Sequence, residues 1–339
     1  MSIHSSLVHT FQKFEKPFVT YNEITLSRSS LLHNFDFFQS LQTNTHIIPV
    51  LKSNAYGHGL QEIATILKDR DFPYIAVDGM HEALAIQEVS GQRVLVMGAI
   101  NPCNFISMDF SNIALVVHDH ATVRALGELG KPIVVHVEID TGMRRHGVAV
   151  DELPSFLTLL SRYPSLHVEG LMTHLADADN SEDESYNMFQ TEAFDDAVSV
   201  VQDAGFSPVF IHIAQSAGSV KIASRYANTS RIGIALYGVN PLSKSDPHVS
   251  QLSSLKPVFE FTSTITKILT IKAGDSVGYG RTFVAEKDMK IGVLPVGYYE
   301  GIPRSFSNGG LVQRETQYLP VTGRVCMNHT MVRIDDDAV

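Results

Sequence analysis

Short runs of Val, Ile and Leu recur along the chain without the alternation expected of a strand that has one wet face. Runs of this kind read as strands covered on both sides, as in a parallel sheet flanked by helices. They fall at Ile47–Lys52, Tyr74–Val77, Val94–Met97, Ile113–Val117, Ile133–Ile139, Val168–Leu175, Val209–Gln215 and Arg231–Tyr237. Between several of them apolar residues recur at helical spacing, for example Ile63, Ile66 and Leu67, then Ala83, Ile86 and Val89. Alternating units in this number predict an α/β fold of the (β/α)8 TIM-barrel type. The fourth strand has the weakest signal, because its connection is short and Asp109–Asn112 is turn-like.

The texture changes after Tyr237. Gly238, Asn240, Pro241, Ser243, Ser245, Asp246 and Pro247 make a polar connection rich in breakers, which sets the expected boundary between a barrel over residues 1–245 and a second domain over 246–339. Beyond it, alternating segments at Phe259–Thr266, Ile291–Val296 and Val321–Met331 read as a smaller, mainly β C-terminal domain. Residues at about 18–26 also alternate and are candidates to pair with it.

Composition narrows the function classes. Hydrophobic residues are 44% and charged residues 18% of the 339, which suits a folded core and excludes a disordered chain. The net charge of −10, with no long basic run, argues against nucleic acid and against an anionic membrane surface as partners. Cys103 and Cys326 are too few for a disulfide framework and lack the spacing of a zinc site. The first twenty residues lack a signal-peptide core, and no apolar run reaches the roughly 20 residues of a membrane span. These features together predict a soluble protein of the reducing cytoplasm.

Ile47-Ile-Pro-Val-Leu-Lys52-Ser-Asn-Ala-Tyr56-Gly-His-Gly59 carries the chemistry: an apolar strand delivers a lysine at its end and then breaks on two glycines. Partial desolvation there lowers an ammonium's pKa and suits a Schiff-base lysine. On its own, a lysine at a strand end is more often a solvated surface residue. The segment resembles the pyridoxal-phosphate signature of alanine racemases. Further matches follow in order: Asp140-Thr-Gly-Met-Arg-Arg145-His-Gly, Gly170-Leu-Met-Thr-His174, His212-Ile-Ala-Gln-Ser216, Arg231-Ile-Gly-Ile-Ala-Leu-Tyr-Gly238, Val277-Gly-Tyr279-Gly, Pro295-Val-Gly-Tyr298 and Gly323-Arg-Val-Cys-Met327.

The resemblance implies a pyridoxal 5'-phosphate enzyme that racemises alanine as a homodimer, with D-alanine feeding peptidoglycan synthesis. It implies that Lys52 carries the cofactor and serves as one base, and that Tyr279, reaching in from the partner subunit, serves as the other. Tyr56, Ser216 and the Gly233–Ile234 backbone would hold the phosphate, and His174 would join Arg231 in a polar network. Arg231 would donate to the pyridine nitrogen; a guanidinium has no accepting site, so that nitrogen would stay unprotonated and the ring a weak electron sink. Arg145 and the Met327 backbone would bind the substrate carboxylate, with His212 and Tyr298 in support.

Some positions depart from the family pattern. Glu138 stands where many alanine racemases carry a carbamylated lysine, so a carboxylate is expected to orient Arg145 without modification. Asn328 replaces an aspartate, and Gln215 and His146 also differ. Family members continue several tens of residues past Val339, which implies a C-terminal domain that is truncated or reduced. Three alternatives stay open: racemisation of another small amino acid such as serine, a non-catalytic pyridoxal-phosphate carrier, and, more distantly, a decarboxylase of related architecture. The carrier and the decarboxylase lack the Val-Gly-Tyr-Gly segment.

Overall fold

A computed structural model describes residues 19–41 and 45–334. The polar start of the chain before Val19 and its end at Val339, both weighed above, lie outside the described residues. Leu26–Phe259 forms one unit, and the residues before Leu26 with those from Glu260 onward form another.

In the larger unit the expected strands are all present, several of them shorter than the apolar runs that announce them. The N-terminal strand β1 (Asn22–Leu26) pairs with a strand beginning at Phe259. The sheet is built from β2 (His46–Pro49), β3 (Ile75–Val77), β4 (Val94–Val96), β5 (Ile113–Val117), β6 (Ile133–Asp140), β8 (Leu166–Met172), β9 (Phe210–His212) and β10 (Thr229–Ile232), with the short β7 (Val148–Ala149) beside β6. All its pairings are parallel. Its spatial order is β2-β10-β9-β8-β6-β5-β4-β3, and the ring closes where the Leu51 N–H donates to the Ala76 carbonyl at 2.8 Å.

Strand alternation sorts the apolar residues into two sets. Ile47, Ile75, Val77, Val94, Leu115 and Val117 pack outward with helix residues such as Phe35, Ile63, Leu67, Ile86 and Phe156. Ile48, Val50, Tyr74, Leu95, Val116, Met172 and Phe210 form the cluster inside the ring. Such a barrel interior is a packed core and not a pore.

The unit boundary at Phe259 falls beyond the breaker-rich connection chosen from sequence. That connection is tied back onto the barrel. The Lys221 ammonium, on the barrel, lies 2.5 Å from the Asp246 carboxylate, and Asn34 of helix Arg28–Leu41 exchanges hydrogen bonds with the Lys256 backbone at 2.8 and 2.9 Å. Composition marks a loop, but these long-range contacts decide which unit owns it.

In the smaller unit, β11 (Phe259–Ser263) pairs with β1, and β12 (Lys267–Ile271) leads into a three-stranded antiparallel sheet with Met289–Leu294 and Thr330–Ile334. Leu294, Val296, Leu319, Val321, Val325 and Val332 are its core. The expected strand Val321–Met331 is a correction. Only Thr330 onward is strand, because Gly323 turns the chain at φ 79°, so tightly against the Val277 carbonyl that a side chain would collide.

Candidate active site

Strand β2 ends at Pro49, and the chain then enters an unusual turn. Ser53, Asn54, Ala55 and Tyr56 all adopt left-handed backbone, with φ of 56°, 55°, 53° and 55°. Each such L-residue costs roughly 1–2 kcal/mol, so partners must hold the segment. The buried carboxylate of Glu82, in helix Met80–Gln87, accepts the Ser53 and Asn54 N–H groups on Oε1 at 2.6 and 3.4 Å. On Oε2 it accepts those of Asp78 and Gly79, at 2.9 and 3.2 Å. Asn54 Oδ1 accepts the Leu60 N–H at 2.9 Å and fixes the way out. Nothing in the sequence reveals that the Glu82 carboxylate clamps the lysine turn.

Both ends of this turn, Lys52 and Tyr56, line a cavity of about 430 Å³ at the carboxyl ends of the barrel strands. Glu138, Arg145, His174, Ser216, Arg231, Gly233 and Ile234 share it. So do the acidic Asp78 and Asp179, which lie outside the motifs of the sequence. Ser216 Oγ accepts the N–H groups of Gly233 and Ala235 at 3.1 and 3.3 Å. A side chain at 233 would collide with the Tyr56 hydroxyl, which explains glycine there. Ser216 Oγ accepts from both main-chain N–H groups and so has its own O–H left to give, and the Tyr56 hydroxyl lines the same wall; hydroxyl donors of this kind suit a phosphate.

Arg231 is 3% exposed. Its NH1 donates to His212 Nδ1 and the His212 carbonyl at 3.0 and 2.8 Å, and its NH2 donates to the Thr173 carbonyl and His174 Nδ1 at 2.8 and 3.2 Å. Among the described residues its Nε–H has no protein acceptor, so that donor remains for a ligand. Burial lowers its pKa to about 10, against the opposing pull of the Glu138 carboxylate; it stays charged at neutral pH. Burial and the charges of Arg231, Arg145 and Lys52 hold the His174 imidazole at about 3, hence neutral.

Glu138 is buried but forms no ion pair with Arg145 among the described residues; its charge supports Arg231 instead. The nearby Asp140 carboxylate is paired with Arg144 at 3.2 Å. Arg145 lines the cavity, and no ion pair engages its guanidinium among the described residues.

Tyr279, Tyr298 and Met327 belong to the smaller unit, where they border a depression of about 300 Å³ with Arg304 and Arg324. The Tyr279 side chain is 71% exposed. Its neighbours Gly278 and Gly280 sit at φ 73° and 71°, a conformation glycine adopts without penalty. Asn328 donates to Glu300 at 2.8 Å, and Tyr298 and Tyr299 donate their N–H groups to the Cys326 and Met327 carbonyls.

Residues 26–241 match the alanine racemase N-terminal domain, and residues 258–339 match the alanine racemase C-terminal domain. The chain belongs to the alanine racemase family. These enzymes are isomerases. A relative named alanine racemase from Staphylococcus carnosus (strain TM300) is 32% identical over 332 residues, covering 96% of this chain and 83% of its own. Among solved structures, an alanine racemase of Clostridium difficile 630 superposes with a TM-score of 0.88 at 26% identity, covering 95% of this chain and 85% of its own. A Bartonella henselae alanine racemase, described with covalently bound pyridoxal phosphate, shares the fold with a TM-score of 0.83 at 24% identity, covering 94% and 87%. Among the described residues no helix is long and apolar enough to cross a membrane.

Proposed function

We propose that this alanine racemase relative interconverts L- and D-alanine with pyridoxal 5'-phosphate held at Lys52. The observation that carries the proposal is the company Lys52 keeps: one cavity brings its amine together with the Tyr56 and Ser216 hydroxyls and a buried guanidinium that, among the described residues, has one donor to spare. That set fits the cofactor's aldehyde, phosphate and ring nitrogen, and the same fold in Bartonella henselae is described with covalently bound pyridoxal phosphate.

In the proposed site Tyr56, Ser216, Gly233 and Ile234 bind the phosphate, and Arg145 with the Met327 backbone binds the substrate carboxylate. When bound, the cofactor supplies an electron sink that acidifies the substrate's Cα–H. Arg231 can only donate, so the ring nitrogen it meets is left without a proton, which favours prompt reprotonation over side reactions. Lys52 Nζ takes or returns the proton on one face of Cα. The Tyr279 hydroxyl does so on the other, reaching from the partner of a homodimer. Its exposure and its glycine neighbours suit a residue that acts outside its own unit. His174 is neutral and bonded to Arg231, so it orients the guanidinium and does not compete for the transferred proton. A cytoplasmic setting, with D-alanine supplied to peptidoglycan, belongs to the same proposal and rests on the family and on the two free cysteines.

The test is L-alanine in deuterated water, following optical rotation and exchange at Cα. Wild type should invert and exchange, Lys52→Ala should do neither, and Tyr279→Phe should retain exchange while losing inversion. Turnover of L-serine but not L-alanine would move the substrate assignment, and absence of both reactions in wild type would remove the enzyme reading.

A further inference from the structure

The barrel interior holds a line of polar groups that the proposed chemistry does not use. Arg231 NH1 donates to His212 Nδ1 at 3.0 Å, and His212 Nε2 lies 2.9 Å from His136 Nδ1. His136 Nε2, which has no hydrogen-bond partner among the described residues, faces the Glu169 carboxylate at 3.9 Å, an electrostatic contact and not a hydrogen bond. Tyr74 and Arg93 hold that carboxylate: the Tyr74 hydroxyl donates to Oε2, and Arg93 donates to Oε1 and Oε2 at 3.2 and 2.9 Å. The line therefore runs from the cavity to residues at the amino-terminal ends of β3 and β4.

Its presence depends on two local features. Between β6 and β8 the register shifts, Val135 pairing with Val168 and His136 with Gly170, so Glu169 is the extra residue of a bulge. Bulges re-aim side chains, and this one brings Glu169 to His136 and Tyr74. Gly170 then leaves space that the His136 imidazole fills; any Cβ there would overlap the ring.

Donor logic fixes every proton. A guanidinium only donates, so His212 Nδ1 is bare and its proton is on Nε2. That proton points at His136 Nδ1, so His136 is also bare at Nδ1 and carries its proton on Nε2, aimed at an anion. Burial favours the uncharged form of both rings. Because the line ends in an arginine that accepts nothing, it cannot conduct a proton into the site. It is a strut.

We propose that Glu169 is a positioning residue: from the far end of the barrel its carboxylate faces the proton that the Arg231 end of the line places on His136 Nε2, and so reinforces the tautomers that keep the acceptor holding Arg231 in place. The role assigned to Arg231 rests on the function proposed above; the tautomer pattern does not. Removing the anion would take away the negative charge that faces the His136 Nε2 proton, so that the ring loses its bias against reversing and confronting His212 with a second N–H.

The test is nitrogen NMR of the full chain, labelled at histidine, loaded with pyridoxal phosphate, and assigned with His136→Gln and His212→Gln. Both rings should show bare Nδ1 and protonated Nε2 at neutral pH. A proton on Nδ1 of either ring, or a charged ring, overturns the proposal whether or not the protein racemises alanine. Glu169→Leu should shift His136 to the Nδ1–H form and lower kcat roughly 10- to 100-fold, the scale expected of a misplaced catalytic group, with KM nearly unchanged. Glu169→Gln, which keeps an acceptor oxygen, should restore both. Unchanged tautomers in Glu169→Leu, or changed tautomers with unchanged kcat, contradict the proposal. Should Glu169→Leu fail to fold, the wild-type spectrum and Glu169→Gln decide the matter.

Discussion

His174 shows how the site's charges enter stability. Its imidazole has an ordinary pKa near 6.5 and is held at about 3 in the folded chain. As pH falls below about 6.5 the unfolded chain takes up this proton and the folded chain does not. The group therefore contributes stability that is present above that pH and is lost progressively on the way down to about 3, at up to about 1.4 kcal/mol per pH unit. His136 and His212 shift in the same direction. The urea midpoint should thus fall between pH 7 and pH 5, and His174→Gln should flatten the fall; an unaltered pH slope in that variant would show that the imidazole is not the titrating group. Single residues were the most legible level of the sequence, since Lys52, Arg145, His174, Ser216 and Arg231 sit in motifs and line one cavity. Glu82 and Glu169 were invisible because each acts through tertiary contact with a distant segment.

At the level of elements, the left-handed turn after Lys52 is the clearest case of structure that local preference opposes. Ser-Asn-Ala-Tyr contains no glycine, so the sequence announces a break only at Gly57. Strain of this sort persists where the surroundings over-determine it and is common at functional sites. Glu82→Ala would strand the N–H groups of Ser53 and Asn54. The expected loss is about 1–3 kcal/mol in chemical unfolding, with weaker retention of pyridoxal phosphate on dialysis. A variant as stable and as retentive as wild type would show that the turn needs no clamp. Gly233→Ala should weaken phosphate binding too, because its methyl group displaces the Tyr56 hydroxyl. The barrel strands were readable for the opposite reason: buried on both faces, they carry continuous apolar runs. In the smaller unit the strands Lys267–Ile271 and Leu311–Arg314 are short and largely exposed, and their signal is correspondingly faint.

For the whole molecule, the parallel ring sets the active-site end. Strands of one direction bring Lys52, Arg145, His174, Ser216 and Arg231 to a common rim from segments far apart in the chain. The proposed second base acts from the partner subunit, so the account requires two copies: light scattering should give a dimer, and mixing Lys52→Ala with Tyr279→Phe protein should restore some inversion through heterodimers. A fully active monomer would exclude the arrangement. The racemase reading depends on the amine of Lys52, just past the end of β2. Borohydride reduction of the protein with pyridoxal phosphate bound, followed by peptide mapping, should place the reduced cofactor on Lys52 alone; a label on any other lysine, or none, would contradict the account.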